Sequence, residues 1–373
     1  MGAILETGED VEKSHSAPKK RSWYDRLSSS VVWVKVFRWE FWPFSVFYFP
    51  VFFYWMYLSI RSRSFFFFTS SNPTIEFGGM LGESKMKILD LIPDVYIPKT
   101  YRLNAESRLE EVKELLKDAG LDYPVILKPD IGERGWMVEL VKSEAQLVEY
   151  LQEIRVDFLV QEYVSYSVEL GVFYYRYPDR SNGTVSSVVM KEMLSVIGDG
   201  TRTVAQLMEE DPRAQMHISR LQIKEPRRMK EIPERGVRVE LVSIGNHCLG
   251  TTFINANHLI NDKLIRVFDQ VSQQIDGFYF GRYDLRCRSI EDLYQGEHFK
   301  ILELNGAGAE PAHIYHPGFS LIQAYKDIIH HLGALADISR INRRRGYPHM
   351  SFRKGLAEIA KIRKYNREKE KKT

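Results

Sequence analysis

Cysteine is nearly absent from this chain: Cys248 and Cys287 are the whole complement of 373 residues. Two thiols exclude a disulfide scaffold and a multi-cysteine zinc site, and they favour a reducing compartment. Residues 1–22 are polar and lack an apolar core, so no cleavable signal peptide is expected at the start. No internal repeat is visible. Net charge is also scarce, at +3. Residues 341–373 hold 12 Lys/Arg against 3 Glu, so residues 1–340 are net negative. A nucleic-acid enzyme carries its basic charge on the folded body rather than on a tail, and no nucleic-acid partner is expected.

What the chain does have is apolar substance. It is 44% hydrophobic and 27% charged, which excludes global disorder. At roughly 100–200 residues per domain, its length allows two or three domains, or one composite one. Aromatics are concentrated near the start. Between Trp39 and Phe68, 16 of 30 residues are Phe, Trp or Tyr, and Phe41 to Ile60 carry no charge. As a helix this stretch is about 30 Å long, the thickness of a hydrocarbon core. Pro43 and Pro50 interrupt it, and basic residues flank both ends (Lys35 and Arg38, then Arg61 and Arg63). Equal basic flanks argue for both ends on one side of a membrane, so a re-entrant or interfacial segment is favoured over a span. The plainer alternative is an aromatic element packed on the soluble body. The tail, with Arg343 to Arg345, Arg353, Lys354 and the run Lys361 to Lys372, suits either an anionic lipid surface or solvent. The expected location is the cytoplasmic face of a membrane, whether peripheral, re-entrant or single-span.

The sequence divides into a polar segment 1–38, an aromatic membrane-associated segment 39–70, a body 71–340 and a basic tail 341–373. The body has an α/β composition. Strands are expected at 125–127, 137–141, 158–160, 168–175, 185–194, 237–244, 279–286 and 300–304. Helices are expected at 85–91, 109–119, 145–154, 203–208, 264–275 and 321–335, with Val95–Ile97 extended.

Three constellations carry chemistry. Asp284 lies in the strand pattern Gly281-Arg282-Tyr283-Asp284-Leu285, and Glu303 and Asn305 lie two apart on another strand. Alternation places Glu303 and Asn305 on one face, and the intervening length suits a hairpin. Two carboxylates and an amide oxygen are a hard-oxygen set suited to Mg²⁺. Next, Lys128 ends a hydrophobic strand before Pro129 and the loop Gly132-Glu133-Arg134-Gly135. A lysine and an open backbone turn suit phosphate. Third, Val160-Gln161-Glu162-Tyr163-Val164 reads as a strand leaving its sheet, suited to an adenine edge, and Glu169 suits ribose hydroxyls.

The order of these elements resembles the ATP-grasp superfamily over about residues 80–335. Gly82-Glu83-Ser84-Lys85 and Ile97-Pro98-Lys99-Thr100 resemble its opening segment. Lys128 resembles its phosphate-binding lysine, Glu162 to Val164 its adenine linker and Glu169 its ribose acid. Arg282 with Asp284, Glu303 and Asn305 resembles its arginine and magnesium ligands. A narrower resemblance, in Ser195 to Thr203 with Gly198-Asp199-Gly200, is to amide ligases akin to cyanophycin synthetase and glutamate-ligating enzymes. Lys191, Asn246 and Gly250 fall where those enzymes have a basic residue and a later Asn-Gly segment. The chain departs from the family at Gly306-Ala307-Gly308-Ala309-Glu310-Pro311, near the usual acceptor site. It also departs before Gly82, where an aromatic segment stands in place of the usual α/β domain.

The resemblance implies an α+β fold of two subdomains clasping ATP. It implies ATP-dependent carboxylate–amine ligation through an acyl phosphate, with Mg²⁺ or Mn²⁺. Lys85, Lys128, Gly132, Gly135, Glu162, Tyr163, Val164 and Glu169 would bind the nucleotide, and Asp284, Glu303 and Asn305 the metal. Arg282 and Lys191 would act on the acyl phosphate. Carboxylate and amine substrates, one of them lipid-linked or near a bilayer, and a homodimer complete the expectation. A kinase on the same scaffold and a non-catalytic membrane-bound ATP binder are the alternatives.

Overall fold

A computed structural model describes residues 38–372, apart from Arg134, 243–244 and 246–249. Asn246, Cys248 and nearly all of the polar segment 1–38 lie outside the described residues. Helix α1 (Phe44–Ser62) begins after Pro43, its N-cap, and contains Pro50. Pro43 does break the stretch, parting the 3-10 turn Trp39–Phe41 from α1, whereas Pro50 does not interrupt the helix as expected. Pro43 sits just outside the helix, where no intrahelical N–H is required of it. An interior proline costs about 3 kcal/mol. Burial of Phe47, Val51 and Leu58 against the helix spanning Leu321–Arg344 offsets this, at about 1.5–3 kcal/mol each.

α1 presents three faces. Phe47, Val51 and Leu58 are buried. Phe44, Tyr48, Phe52 and Trp55, spaced by three and four, line a cavity. Val46, Phe49, Phe53, Tyr57 and Ile60 share the remaining face and are exposed. Among the described residues no helix is long and apolar enough to cross a membrane.

The chain then turns back through Phe66, Phe67 and Phe68, all buried against Phe173 and Phe280 of the second sheet. Fully buried Asn72 fixes this return. Its Nδ2 donates to the carbonyls of Gly78 (3.0 Å) and Phe280 (2.9 Å). Its Oδ1 accepts from the amides of Tyr279 (2.9 Å) and Phe280 (3.0 Å). Helix α2 (Lys85–Leu89) is capped by the Ser84 hydroxyl, which accepts from Lys87 N. It ends two residues before the expected Leu91. Asp94–Tyr96 form a 3-10 turn rather than an extended piece, because Pro93 opens it as an N-cap.

The first sheet joins β1 (Thr100–Leu103), β2 (Val125–Pro129), β3 (Glu139–Val141) and β4 (Phe158–Glu162) in the order β1-β4-β2-β3, every pair antiparallel. α3 (Leu109–Ala119) stops at Gly120, whose φ of 62° is the left-handed cap that glycine adopts without strain. α4 (Glu144–Glu153) is capped by Ser143. Their apolar faces close over the sheet with Leu127, Phe158 and Val160.

The second sheet holds β5 (Val168–Tyr175), β6 (Thr184–Glu192), β9 (Thr252–Asn255), β10 (Phe280–Cys287) and β11 (Phe299–Asn305) in the order β11-β10-β5-β6-β9. A small unit hangs from it: β7 (Ser195–Ile197) and β8 (Arg238–Glu240), with short helices between 204 and 224 around Leu207, Met208 and Leu221. The strand expected over 237–244 is thus only three residues long where it is described. α5 (Asp262–Gln273) packs on the sheet through Leu264, Phe268 and Val271. α6 (Leu321–Arg344) runs well past the expected end at Leu335, because Ile338, Ser339 and Asn342 are buried too. Arg343 of the supposed tail donates to Ser62 O at 3.1 Å, which ties α6 to the end of α1. α7 (Phe352–Lys372) is the last element. Phe352 packs on Phe65 and Phe66, Ile362 sits over Gly82, and the Tyr365 hydroxyl donates to Ile131 O at 3.3 Å. The fold is therefore mixed α/β, with two large antiparallel sheets and the two-stranded antiparallel β7–β8 among the described residues.

Candidate active site

The two sheets face each other across one cavity of about 1680 Å³. Lys85, Lys128, Gly132, Gly135, Glu162, Tyr163, Val164, Glu169, Lys191, Arg282, Asp284, Glu303 and Asn305 all line it. The structure thus brings together every site residue expected from the sequence, drawn from α2, the strands of both sheets and the adjoining loops.

The centre is the β10–β11 ladder. Asp284 pairs across with Glu303, and Arg282 with Asn305. Residues two apart share a face, so the four side chains converge. Arg282 Nε lies 2.9 Å from Asp284 Oδ1, and Lys191 Nζ lies 3.5 Å from Asp284 Oδ2 and 3.4 Å from Glu169 Oε1. Burial pushes the Asp284 carboxyl up, but Arg282 and Lys191 outweigh it and hold it below the ordinary carboxylate value. Burial pulls Lys191 down, but Asp284 and Glu169 outweigh that and hold it above the ordinary lysine value.

Two lysines reach the same centre from the first half of the chain. Lys128 lies near the end of β2 and crosses the cavity, donating to Gln161 Oε1 (3.0 Å) and to Leu302 O of β11 (3.1 Å). Burial lowers its pKa to about 8, against the opposing pull of Glu303. Lys85, placed by the capped start of α2, donates to Gly132 O at 2.5 Å and lies 3.9 Å from Glu303. Asp130 anchors that start: both of its oxygens accept from Ser84 Oγ, each at 2.8 Å, and Oδ1 accepts from Met86 N at 3.0 Å.

At the far end β4 leaves its sheet at Glu162, whose Oε2 accepts from Lys99 N at 3.1 Å. Arg286 organises the segment between Glu162 and β5. Its Nε donates to Glu169 Oε2 (2.8 Å), its Nη1 to Val164 O (2.9 Å), and its guanidinium stacks 5.4 Å over Tyr163. No sequence pattern pointed to Arg286. Its position two residues beyond Asp284, on the same face, is the signal that would have found it.

Toward α1 the cavity meets Glu310. Arg282 Nη1 donates to its backbone oxygen at 3.1 Å, and the hydroxyls of Tyr48 and Tyr315 donate to its carboxylate. These residues were not expected either, although the departure at Gly306 to Pro311 marked the loop.

The chemistry of the donor set bears on a divalent cation. Among the described residues no group of three or more His, Cys, Asp or Glu is arranged to hold a metal. The set here is two carboxylates and an amide. The Asn305 amide nitrogen is buried without a hydrogen-bond partner. An amide committed to a ligand through its oxygen would leave the nitrogen in that state. Asp284 and Glu303 are direct cross-strand neighbours, so their oxygens and that of Asn305 share one face. The residues fit an oxygen-liganded divalent ion.

No protein-family model matches the chain. The formate-dependent phosphoribosylglycinamide formyltransferase of Sulfolobus acidocaldarius is 36% identical over 87 residues, 21% of this chain and 21% of its own. That of Sulfurisphaera tokodaii is 34% identical over 102 residues, 26% of this chain and 25% of its own. The chain thus spans a fifth to a quarter of the length of the curated relatives it matches. Among solved structures, a bifunctional glutathione synthetase from Pasteurella multocida aligns at 17% identity, covering 66% of this chain and 35% of that one, with a TM-score of 0.36. A D-alanine–D-alanine ligase from Bacillus anthracis aligns at 11% identity, covering 70% and 68%, with a TM-score of 0.37. The curated matches bear out the resemblance to the ATP-grasp superfamily.

Proposed function

We propose that this chain is an ATP-dependent carboxylate–amine ligase. The observation that carries the reading is the convergence of Arg282, Asp284, Glu303 and Asn305 on one strand-pair face, with Lys85, Lys128 and Lys191 around it. ATP would lie with its adenine at Glu162 to Val164, its ribose at Glu169 and its phosphates under Lys85, Lys128 and the Gly132–Gly135 loop. Asp284, Glu303 and Asn305 would hold Mg²⁺, which when bound neutralises phosphate charge.

A substrate carboxylate oxygen forms a bond to the γ-phosphorus, and the bond to the β-phosphate oxygen breaks, giving acyl phosphate and ADP. The amine nitrogen then bonds to the acyl carbon, the carbon–oxygen bond to phosphate breaks, and inorganic phosphate leaves. The amine surrenders its proton to solvent. Arg282 and Lys191 supply fixed positive charge where the phosphoryl oxygens and the tetrahedral oxyanion gain negative charge. Both are held by carboxylates, so neither has to reorganise as the reaction proceeds.

We further propose that the protein works at a membrane surface. The exposed aromatic face of α1, with Arg61 and Arg63 at its end, supports an interfacial rather than a spanning helix. The ligase reading is tested by incubating the detergent-extracted protein with Mg-ATP against pooled amino acids and amines, with mass analysis of products. Phosphate release that needs both an acid and an amine, with a new amide mass, is expected. A stable phosphoester as the product would replace the ligase with a kinase.

A further inference from the structure

The nucleotide cleft does not end at Arg282. It continues past Glu310 to α1, where Phe44, Tyr48, Phe52 and Trp55 form a trough in the same cavity. Glu310 stands at the junction. One carboxylate oxygen accepts from Tyr48, and the other accepts from Tyr315 at 2.9 Å. Burial and the neighbouring Glu310 charge push both phenols well above the ordinary tyrosine value, so both remain neutral donors. Two neutral hydroxyls orient the carboxylate without cancelling its charge, and each oxygen keeps a lone pair. Arg282 feels that charge, but its Nε and Nη2 are committed to Asp284 at 2.9 and 3.3 Å.

The site is an oriented anion beside Tyr48, part-way along an apolar trough. From Tyr48 to Trp55 the helix rises about 10 Å, the length of an octyl segment. The trough opens outward: Phe44 and Phe52 are 58% and 52% exposed, next to the outward face of α1. A carboxylate would be repelled here, and a small polar amine would leave the aromatic wall uncovered.

We propose that this arm of the cavity binds the amine substrate, a bilayer-borne amphiphile with a primary ammonium on a long unbranched chain. The ammonium pairs with Glu310, and the chain lies along Phe52 and Trp55. The role as acceptor rests on the ligase reading; the binding does not.

The test is calorimetric titration of the 373-residue chain with dodecylamine below its micellar concentration, beside butylamine, dodecanol and dodecanoate. Dodecylamine should bind at least a hundredfold more tightly than butylamine and tenfold more tightly than dodecanoate. Glu310→Gln should weaken dodecylamine at least tenfold and leave dodecanol unchanged. Phe52→Asp should weaken both, and as an exposed position it tests the trough even if Glu310→Gln folds poorly. Dodecanoate binding as tightly as dodecylamine, or wild-type affinity in either variant, overturns the proposal. A fluorescent ATP analogue titrated into the same samples reports the nucleotide site separately. Loss of nucleotide binding with dodecylamine binding intact removes the ligase reading alone; the reverse removes this subsite alone.

Discussion

Gly171 lies directly across from Asp284 in the β5–β10 ladder, and a methyl group there would sit 3.1 Å from Asp284 Oδ1. The same methyl would meet Val189 at 2.8 Å and Arg282 Cδ at 3.3 Å. The bare backbone of Gly171 is therefore the floor on which the Arg282–Asp284 pair rests. Gly171→Ala should destabilise the fold by about 1–3 kcal/mol and weaken Mg²⁺ binding about tenfold. Thermal unfolding with and without Mg-nucleotide checks both; an unchanged metal-dependent shift would separate Gly171 from the site.

Lys128 predicts a pH dependence. Burial brings its ammonium to about pH 8, whereas an unfolded lysine titrates near 10.4. Below 8 both states are protonated, and the cost of the buried charge is fully present. Between these values the unfolded chain binds the extra proton, so this group adds stability as pH rises. Nucleotide binding has the opposite sign: the free protein loses its phosphate partner above about pH 8. ATP affinity should fall through that range, with proton uptake on binding measured in buffers of different ionisation heat. Lys128→Met should flatten the profile.

Asp284 and Glu303 should separate stability from metal binding. Asp284 is buried between Arg282 and Lys191, and Asp284→Asn takes the carboxylate from buried Arg282 and leaves Lys191 with Glu169 alone, at a cost of about 3–5 kcal/mol. The Glu303 side chain is 38% exposed, and its one ion pair among the described residues is a long 3.9 Å contact with Lys85. Glu303→Gln should cost under about 1 kcal/mol and reduce Mg-dependent ADP formation at least a hundredfold. Denaturant titration beside an ADP assay reads the two effects independently.

Asn72→Ala should be among the most damaging single changes outside the cleft. It removes four hydrogen bonds and leaves buried backbone groups without partners, at about 1–3 kcal/mol for each group left unsatisfied. A fall in the urea midpoint of several kcal/mol equivalent is expected. A loss under about 1 kcal/mol would mean that water replaces the amide.

Much of the site could be read in advance because strand alternation is a local rule. Asp284, Glu303 and Asn305 needed only a period of two and a hairpin to be brought together. Lys128 needed only its place at the end of β2. Glu310 was not legible, because its meaning comes from Tyr48, 262 positions away. The length of α6 was hidden for a similar reason: Asn342 stays helical because its amide donates to Ser70 O at 2.9 Å, a tertiary bond in a run of arginines. Pro50 misled because propensity alone weighs its cost without the burial of Phe47 and Val51. Gly306 was read as a departure from a family pattern, whereas it answers a steric demand: a methyl there would lie 2.8 Å from Gly79 Cα.

α7 touches both jaws of the cleft. Phe352 is wedged on Phe66 of the lower half, and Tyr365 is tethered to Ile131 beside the glycine loop of the upper half. One helix thus bridges the two sides of the cleft, and any widening between those two points would have to break one of these contacts.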